Sequence, residues 1–398
     1  MSDYVPIVGL AARGDGVTPD GRFVPGSVTG DAVRFDPFDL RPGPNHATPS
    51  CRHFGDCGGC QLQHVTDAAY AQWATARITK ALGAVGIVPA EIAPFALSPP
   101  CSRRRVSLRA ERRGGRVTLG FNADASHRIV DIQQCTVMLP ELFALVAPLR
   151  RLLGGLLMEG QGAGIALTQS DTGIDVLLAG VAARKLAAIE ALTVFAEHVD
   201  LARLSVESEG GVETIVAARP PVIHFDGAAV ALPPAPFLQA TREGEVALQA
   251  AVVEAVGDAA AVADLFCGLG TFTLPLAATA KVYAADAGET ATAALRDAAR
   301  GRPVLVEQRD LFRRPLEPLE LRRFDAVVFD PPRAGAAVQA AQLAASNVPI
   351  VVAVSCNPNT FARDAAVLVA GGFRCRQLWP VGQFRWSTHV ELVACFAR

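Results

Sequence analysis

Beyond about residue 241, short and nearly continuous apolar runs alternate with stretches whose apolar residues recur every three or four positions. The runs at 261–266, 281–285, 303–306, 325–329 and 349–354 read as strands of a parallel sheet with helices on both faces, because such strands are buried on both sides. Two further runs, 373–378 and 389–397, close the chain. Seven strands with intervening helices predict a doubly wound, Rossmann-like α/β domain over 241–398. Upstream, 51–240 lacks this regularity and reads as mixed α+β. A helix is predicted over 68–82, where Tyr70, Trp73, Ala74 and Ile78 keep the helical spacing. A hairpin is predicted from 104–110 and 116–121, turning at Gly114-Gly115. Strands over 164–168 and 174–178 and helices over 142–153 and 186–198 complete that region. Residues 1–50 are rich in Gly and Pro and predict short strands (7–11, 22–24, 32–35) of a small β-barrel or its remnant. The prolines at 42, 44 and 49 mark a linker.

Composition adds a few constraints. The chain has 398 residues, 51% hydrophobic and 19% charged, enough for two or three domains with their own cores. No apolar run approaches the roughly 20 residues of a membrane span, and Met1-Ser2-Asp3-Tyr4 lacks the basic start of a secretory signal. A cytoplasmic monomer without membrane contact is the expectation. The net charge of −2 excludes a polycation but not a local basic patch. Nine cysteines, an odd number, argue against a disulfide framework and for metal or catalytic use.

The first strand of the α/β region runs into Asp264-Leu265-Phe266-Cys267-Gly268-Leu269-Gly270-Thr271-Phe272. Gly268 and Gly270 let a ligand approach the backbone where a helix begins. Thr273 occupies the place of the third glycine of a dinucleotide fingerprint, so a pyrophosphate site is incomplete. Asp286 ends the second strand, Asp310 follows the third, and Asp330 ends the fourth in Asp330-Pro331-Pro332-Arg333. Each alone reads as a cap or loop residue. Together with the glycine turn they point at one crevice suited to an adenosine-type cofactor. S-adenosylmethionine suits it better than NAD, since it has no pyrophosphate and carries a cation.

The fifth strand ends in Ser355-Cys356-Asn357-Pro358. Buried cysteines are usually inert, and Cys267, Cys375 and Cys395 read as core residues. Cys356 differs, since it stands at the active edge of the sheet before a helix, where the thiol pKa is expected to fall. A thiolate matters to a pyrimidine methyltransferase because carbon 5 is a poor nucleophile. Addition to carbon 6 makes carbon 5 electron-rich, and a base must later remove the carbon 5 proton. Glu391, inside the last apolar run, is a carboxylate that is costly there without a task.

The motifs Phe237-Leu238-Gln239, DLFCGLGTF (264–272), FDPPRAG (329–335), SCNPNTFARD (355–364) and HVE (389–391) resemble, in order, the RNA 5-methyluridine methyltransferase family, in particular its 23S rRNA branch. The resemblance implies a class I methyltransferase domain using S-adenosyl-L-methionine, Cys356 as nucleophile and Glu391 as base. It implies Gln239, Phe266, Thr271, Asp286, Asp310 and Asp330 as cofactor residues. Thr271 stands where Asn is common, and Asp286 and Asp310 stand where Glu and Asn are frequent.

Cys51, Cys57 and Cys60 with the distant Cys135 form a four-thiolate set that could hold zinc or an iron–sulfur cluster. The resemblance implies a [4Fe–4S] cluster, with Cys101 left as structural. Seven arginines between positions 103 and 116 predict a phosphate-binding strip on the hairpin. Phe384 and Trp386 are candidates to stack on an extruded uridine. The expected substrate is RNA, first 23S rRNA and second tRNA. An N6-adenine methyltransferase would want an aromatic where Arg333 stands and has no use for Cys356. A non-catalytic iron–sulfur RNA-binding protein would not need Asp330, Cys356 and Glu391 together.

Overall fold

The computed structural model of the protein describes residues 4–183 and 185–398; Met1 to Asp3, read above for targeting, lie outside them. All seven strands expected at the end of the chain form one sheet. Its order is Val304–Gln308, Lys281–Asp286, Ala261–Leu265, Ala326–Phe329, Ile350–Ser355, Glu391–Ala397, Arg374–Gly382. The first five are parallel and Glu391–Ala397 is antiparallel to both its neighbours. Two short strands from earlier in the chain, Glu91–Ile92 and Ala96–Leu97, pair with Arg374–Gly382 and widen the sheet to nine. The order reverses direction between Ala261–Leu265 and Ala326–Phe329, which opens a crevice beyond their carboxyl ends.

Helices cover both faces. Helix Arg242–Val256, capped by the Thr241 hydroxyl accepting from Gly244 N–H, buries Leu248, Val252 and Val256 on one side. On the other, helix Pro358–Ala370 shares a core with Asp67–Gly83, the helix expected at 68–82. Thus Tyr70, Trp73, Ala74, Ile78 and Leu82 do keep a buried face, and that face lies on the catalytic sheet.

The central region is a seven-stranded sheet with helices Val146–Leu156 and Leu186–His198 packed on its inner face. Its hairpin, Arg105–Arg113 with Arg116–Asn122, turns at Gly114 and Gly115, both in the left-handed region that a two-residue turn of this hand requires. Along Arg105–Arg113, Val106, Leu108 and Ala110 face the core while Ser107 and Arg109 face outward. The expected 142–153 helix is two helices, Pro140–Ala144 and Val146–Leu156. Strands Arg203–Ser208, Gly211–Ala217, Val222–Phe225 and Ala228–Ala231 were not anticipated. The N-terminal region is two three-stranded sheets around Ile7, Val24 and Val33. Among the described residues, no helix is long and apolar enough to cross a membrane.

The loop from Gln383 to Val390, which delivers Glu391 to the sheet, is held from outside. Tyr70 Oη donates to Ser387 O at 3.0 Å, and Arg77 donates to Thr388 O. Gln61 N–H and Leu62 N–H both donate to Trp386 O, at 2.8 and 2.9 Å. Arg385 donates to Ser98 O at 3.0 Å and pairs with Asp67. Trp386 itself has φ 60°, a strained value for a bulky residue that persists where surroundings impose it. Tyr70→Phe keeps the ring and strands the Ser387 carbonyl in a buried setting. We expect a loss of roughly 1–2 kcal/mol, read as a lower urea midpoint at unchanged m-value.

Candidate active site

At the crevice the backbone is strained where a ligand would lie. Phe266 adopts φ 63°, held by its N–H donating to Ala285 O at 2.8 Å. Gly268 (φ 52°) and Gly270 (φ 91°) follow. A Cβ at Gly268 would meet only open space, whereas one at Gly270 would lie 2.4 Å from Leu295 Cδ1. Gly268 therefore leaves room on the crevice side and Gly270 allows the helix beneath to close up. The Phe266 ring lies 5.4 Å from that of Phe312, half-exposed across the crevice.

The acidic residues differ in how they are engaged. Asp286 accepts from Gly268 N–H at 3.1 Å and Gly288 N–H at 2.7 Å, which fixes its carboxylate beside the glycine turn. Asp310 accepts from Phe312 N–H at 3.0 Å and faces Arg313, so it caps its own turn at the crevice mouth. Asp264, which the sequence reading placed only within the motif, is fully buried. It takes the Thr273 hydroxyl at 2.5 Å on one oxygen, while the other, Oδ1, is buried without a partner among the described residues. Burial pushes its pKa up to about 7, and Asp330 goes to about 7 for the same reason. Thr271 contributes its carbonyl to Gln249 Nε2 at 2.9 Å.

Cys356 and Glu391 come together through strand register. Ser355 pairs with Leu392 across the antiparallel strands, so the next residue on each strand, Cys356 and Glu391, meet at the same end. Asp330 and Arg333 act electrostatically on both. Glu391 is buried, and burial followed by Asp330 raises its pKa to about 8. The Cys356 thiol is pushed up to about 11 by burial, then by Glu391 and Asp330, with Arg333 opposing. The expectation of a lowered thiol pKa is therefore corrected. A helix does start at Pro358, capped by Asn357, but burial and then the neighbouring Glu391 and Asp330 carboxyls raise the thiol.

Gln383 was missed in the sequence. It is buried, and its Nε2 donates to Gln239 Oε1 at 2.7 Å while its Oε1 accepts from Ala240 N–H at 2.8 Å. It also favours the ionised form of Glu391. A lone glutamine beside an aromatic carries no periodic or motif signal. Arg333 and His389 also meet, with Nη2 3.0 Å from the imidazole Nε2.

Cys51, Cys57, Cys60 and Cys135 line one cavity, walled also by Phe54, Phe121, Ile132 and Met138. Among the described residues, no three His, Cys, Asp or Glu side chains are grouped so as to hold a single metal ion. Cys267, Cys375 and Cys395 are buried, and Cys101 is exposed.

The arginine strip is largely dispersed. Arg104 is buried against Glu245, and Arg112 donates to Gly154 O and Leu157 O at 2.9 and 2.7 Å. Arg113 pairs with Glu111. Arg105 and Arg109 remain on the outer side of the sheet, with Arg105 5.0 Å from the exposed Phe237 ring.

No family model matches the chain. It is 46% identical to an uncharacterized RNA methyltransferase of Zymomonas mobilis, over 98% of this chain and 99% of that one. It is 32% identical to the 23S rRNA (uracil-C5)-methyltransferase RlmD of Pectobacterium atrosepticum, over 90% of this chain and 81% of that one. Its fold matches the tRNA (uracil-54, C5)-methyltransferase of Pyrococcus abyssi, solved with S-adenosyl-L-homocysteine, at a TM-score of 0.79 and 23% identity over 99% of this chain and all of that one. The chain belongs to the RNA 5-methyluridine methyltransferase family.

Proposed function

We propose that the protein methylates carbon 5 of a uridine in RNA, with 23S rRNA as the preferred substrate. The observation that carries this reading is the meeting of Cys356 and Glu391 at the end of paired strands, beside Asp330 and above the glycine turn. A thiol facing a buried carboxyl at the edge of such a crevice suits pyrimidine activation and has no use in amine methylation. The likeness to RlmD favours 23S rRNA over tRNA.

When bound, S-adenosyl-L-methionine supplies a methyl group. Phe266 and Phe312 suit its adenine, the Asp286 carboxylate its ribose, and Gly268, Gln239, Asp310, Asp330 and the Thr271 segment the remainder of the crevice. The unpartnered Oδ1 of Asp264 shows that the floor retains polar capacity. Cys356 adds as thiolate to carbon 6 of the uracil, and the displaced π electrons enrich carbon 5. Arg333, the cation nearest the pair, favours that thiolate. After alkylation at carbon 5, Glu391 takes the carbon 5 proton. The electron pair reforms the 5,6 double bond and Cys356 leaves. Glu391 must be ionised to act as this base; Arg333 favours its ionised form against burial, and its raised pKa makes the ionised carboxylate a stronger base.

Four thiols, donors suited to iron–sulfur ligation, line one cavity shielded by apolar side chains. We read it as the seat of a [4Fe–4S] cluster held by Cys51, Cys57, Cys60 and Cys135, serving to staple this loop-rich segment.

Four outcomes test these readings. Cys356→Ala should lose RNA methylation by at least about a thousandfold. Glu391→Gln should accumulate a covalent RNA adduct, visible as a retarded band on a denaturing gel. Normal turnover by Glu391→Gln without trapping would make Glu391 an ordinary strand residue. In the RNA-free protein, alkylation of Cys356 followed by peptide mass spectrometry should rise about tenfold per pH unit up to its high pKa. Above pH 8, where Glu391 is ionised, Glu391→Gln should shift that profile to lower pH, because removing a neighbouring anion eases thiolate formation. Anaerobically purified protein should contain iron and acid-labile sulfide, and Cys→Ser at any of the four should lower solubility. Stoichiometric zinc without sulfide would overturn the cluster.

A further inference from the structure

Strands Ala326–Phe329 and Ile350–Ser355 are parallel neighbours, with Phe329 opposite Ala353, so the segments leaving their carboxyl ends run side by side. The first segment carries Asp330 and Arg333; the second carries Cys356 and enters helix Pro358–Ala370. Asn357, Thr360 and Asp364, three and seven positions along, share one side of that helix. Each of them reaches the backbone of the segment opposite. Asn357 Nδ2 and Thr360 Oγ1 donate to Arg333 O at 3.2 and 3.0 Å. Thr360 Oγ1 is also 3.3 Å from Asn357 O, so one hydroxyl spans the first helical turn and the loop. Arg363 Nη2 donates to Ala334 O at 2.9 Å, and Asp364 Oδ2 accepts from Ala336 N–H at 2.7 Å. Gly335 lets the two backbones close up. Its φ is 73°, and a Cβ there would lie 2.5 Å from both Arg363 Nη2 and Asp364 Oδ2.

We propose that this row of side chains, with Thr360 at its centre, positions Arg333 for the reaction by tying the cation to the helix that begins beside Cys356; the proposal rests on Cys356 being the nucleophile, as read above. The argument is one of freedom removed. Arg333 is exposed, and its Nη2 lies 3.0 and 3.2 Å from the two imidazole nitrogens of His389. No carboxylate forms an ion pair with it among the described residues. A long side chain held by nothing stronger would spread its charge over many positions if its backbone also moved. Here Pro331 and Pro332 fix the chain before Arg333, and four side chains of one helix clasp residues 333 to 336.

The charges around the thiol say what that position is for. Glu391 and Asp330, on the two neighbouring strand ends, oppose the Cys356 thiolate, and Arg333 is the cation that favours it. His389, beside Arg333, is held neutral by burial and then by Arg333, Arg103 and Arg77, so its imidazole adds no charge at neutral pH. Thr360 touches neither Cys356 nor substrate on this account. It is a positioning residue, and its effect must pass through the charge at 333. A row that merely packed the loop would be indifferent to that charge.

Alkylation of Cys356 by iodoacetamide, a neutral reagent, followed by peptide mass spectrometry in the RNA-free, full-length protein, separates the two cases. Arg333→Gln should slow the reaction about fivefold and Thr360→Val about threefold at neutral pH, the range open to an exposed cation. Thr360→Ser, which restores the hydroxyl, should react as wild type does. Thr360→Val in the Arg333→Gln background should add nothing, because no cation is left to place. The gap between wild type and Thr360→Val should narrow as salt is raised. Methylation turnover should fall about threefold in Thr360→Val and recover in Thr360→Ser. If Thr360→Val unfolds, Arg363→Met, which removes the donor to Ala334 O, should slow alkylation in the same way and likewise only while Arg333 is present. Wild-type alkylation in Thr360→Val, or a loss that persists undiminished in the Arg333→Gln background, would overturn the proposal. If Cys356→Ala abolishes methylation and Thr360→Val alkylates as wild type does, the positioning alone fails. If Cys356→Ala still methylates, the nucleophile reading fails, and the row has no part in the reaction whatever its effect on the thiol.

Discussion

The structure depends on how the loop before Glu391 is held. A turn between two antiparallel strands is ordinarily free to move, yet here Trp386 is kept in a left-handed conformation and its carbonyl receives two N–H groups from Gln61 and Leu62. Tyr70 and Arg77 take the next carbonyls, and Arg385 reaches back to Ser98 and Asp67. Every one of these partners comes from residues more than 280 positions away in the chain, on the segment between the N-terminal and central regions. The catalytic strand end is thus positioned by parts of the protein outside the Rossmann-like sheet. This explains why helix Asp67–Gly83 packs on a sheet whose other strands begin almost two hundred residues later. The same logic runs through Gln383, which hydrogen-bonds Gln239 and Ala240 and favours the ionised form of Glu391.

Burial in this crevice sets its protonation. Asp264, Asp330 and Glu391 are all raised to about 7 or 8, and Cys356 to about 11. Acidic groups gathered in a desolvated site cannot all ionise, so the free protein holds protons there at neutral pH. Arg333 is the cation that favours the ionised form of both Cys356 and Glu391. A crevice with spare negative capacity is well matched to a sulfonium ligand, whose positive charge would let more of these carboxyls ionise.

Much of this was legible in the sequence. The catalytic sheet announced itself because strands buried on both faces must be apolar throughout, and the Asp-67 helix because its apolar positions keep a helical period. The Gly114-Gly115 turn was legible because two adjacent glycines readily take the left-handed conformation that a two-residue hairpin turn needs. Edge strands of two residues, such as Glu91–Ile92, leave no periodic trace, and their membership in the far sheet is a tertiary fact. Gly211–Ala217 failed to register because most of it is exposed. The arginine run was legible only in part, for a related reason. Density of charge along the chain says nothing about which guanidiniums turn inward, and Arg104 and Arg112 do so to satisfy Glu245 and helix-end carbonyls. The thiol of Cys356 misled because a helix start is visible in sequence, whereas two carboxyls brought beside it by strand pairing are not.

Arg103 joins the regions in a way no single motif could reveal. Its side chain borders both the cavity of the four cysteines and the concavity beneath the catalytic loop. Cys60 and Cys135 are the two groups that favour its charged form against desolvation. On the cluster reading, thiolates there would carry negative charge directly behind a guanidinium that lines the concavity beneath the catalytic loop. The segment bearing Cys57 and Cys60 runs straight into Gln61 and Leu62, the donors that hold Trp386. A group that fixes those cysteines would therefore act twice, on Arg103 and on the loop that carries Glu391.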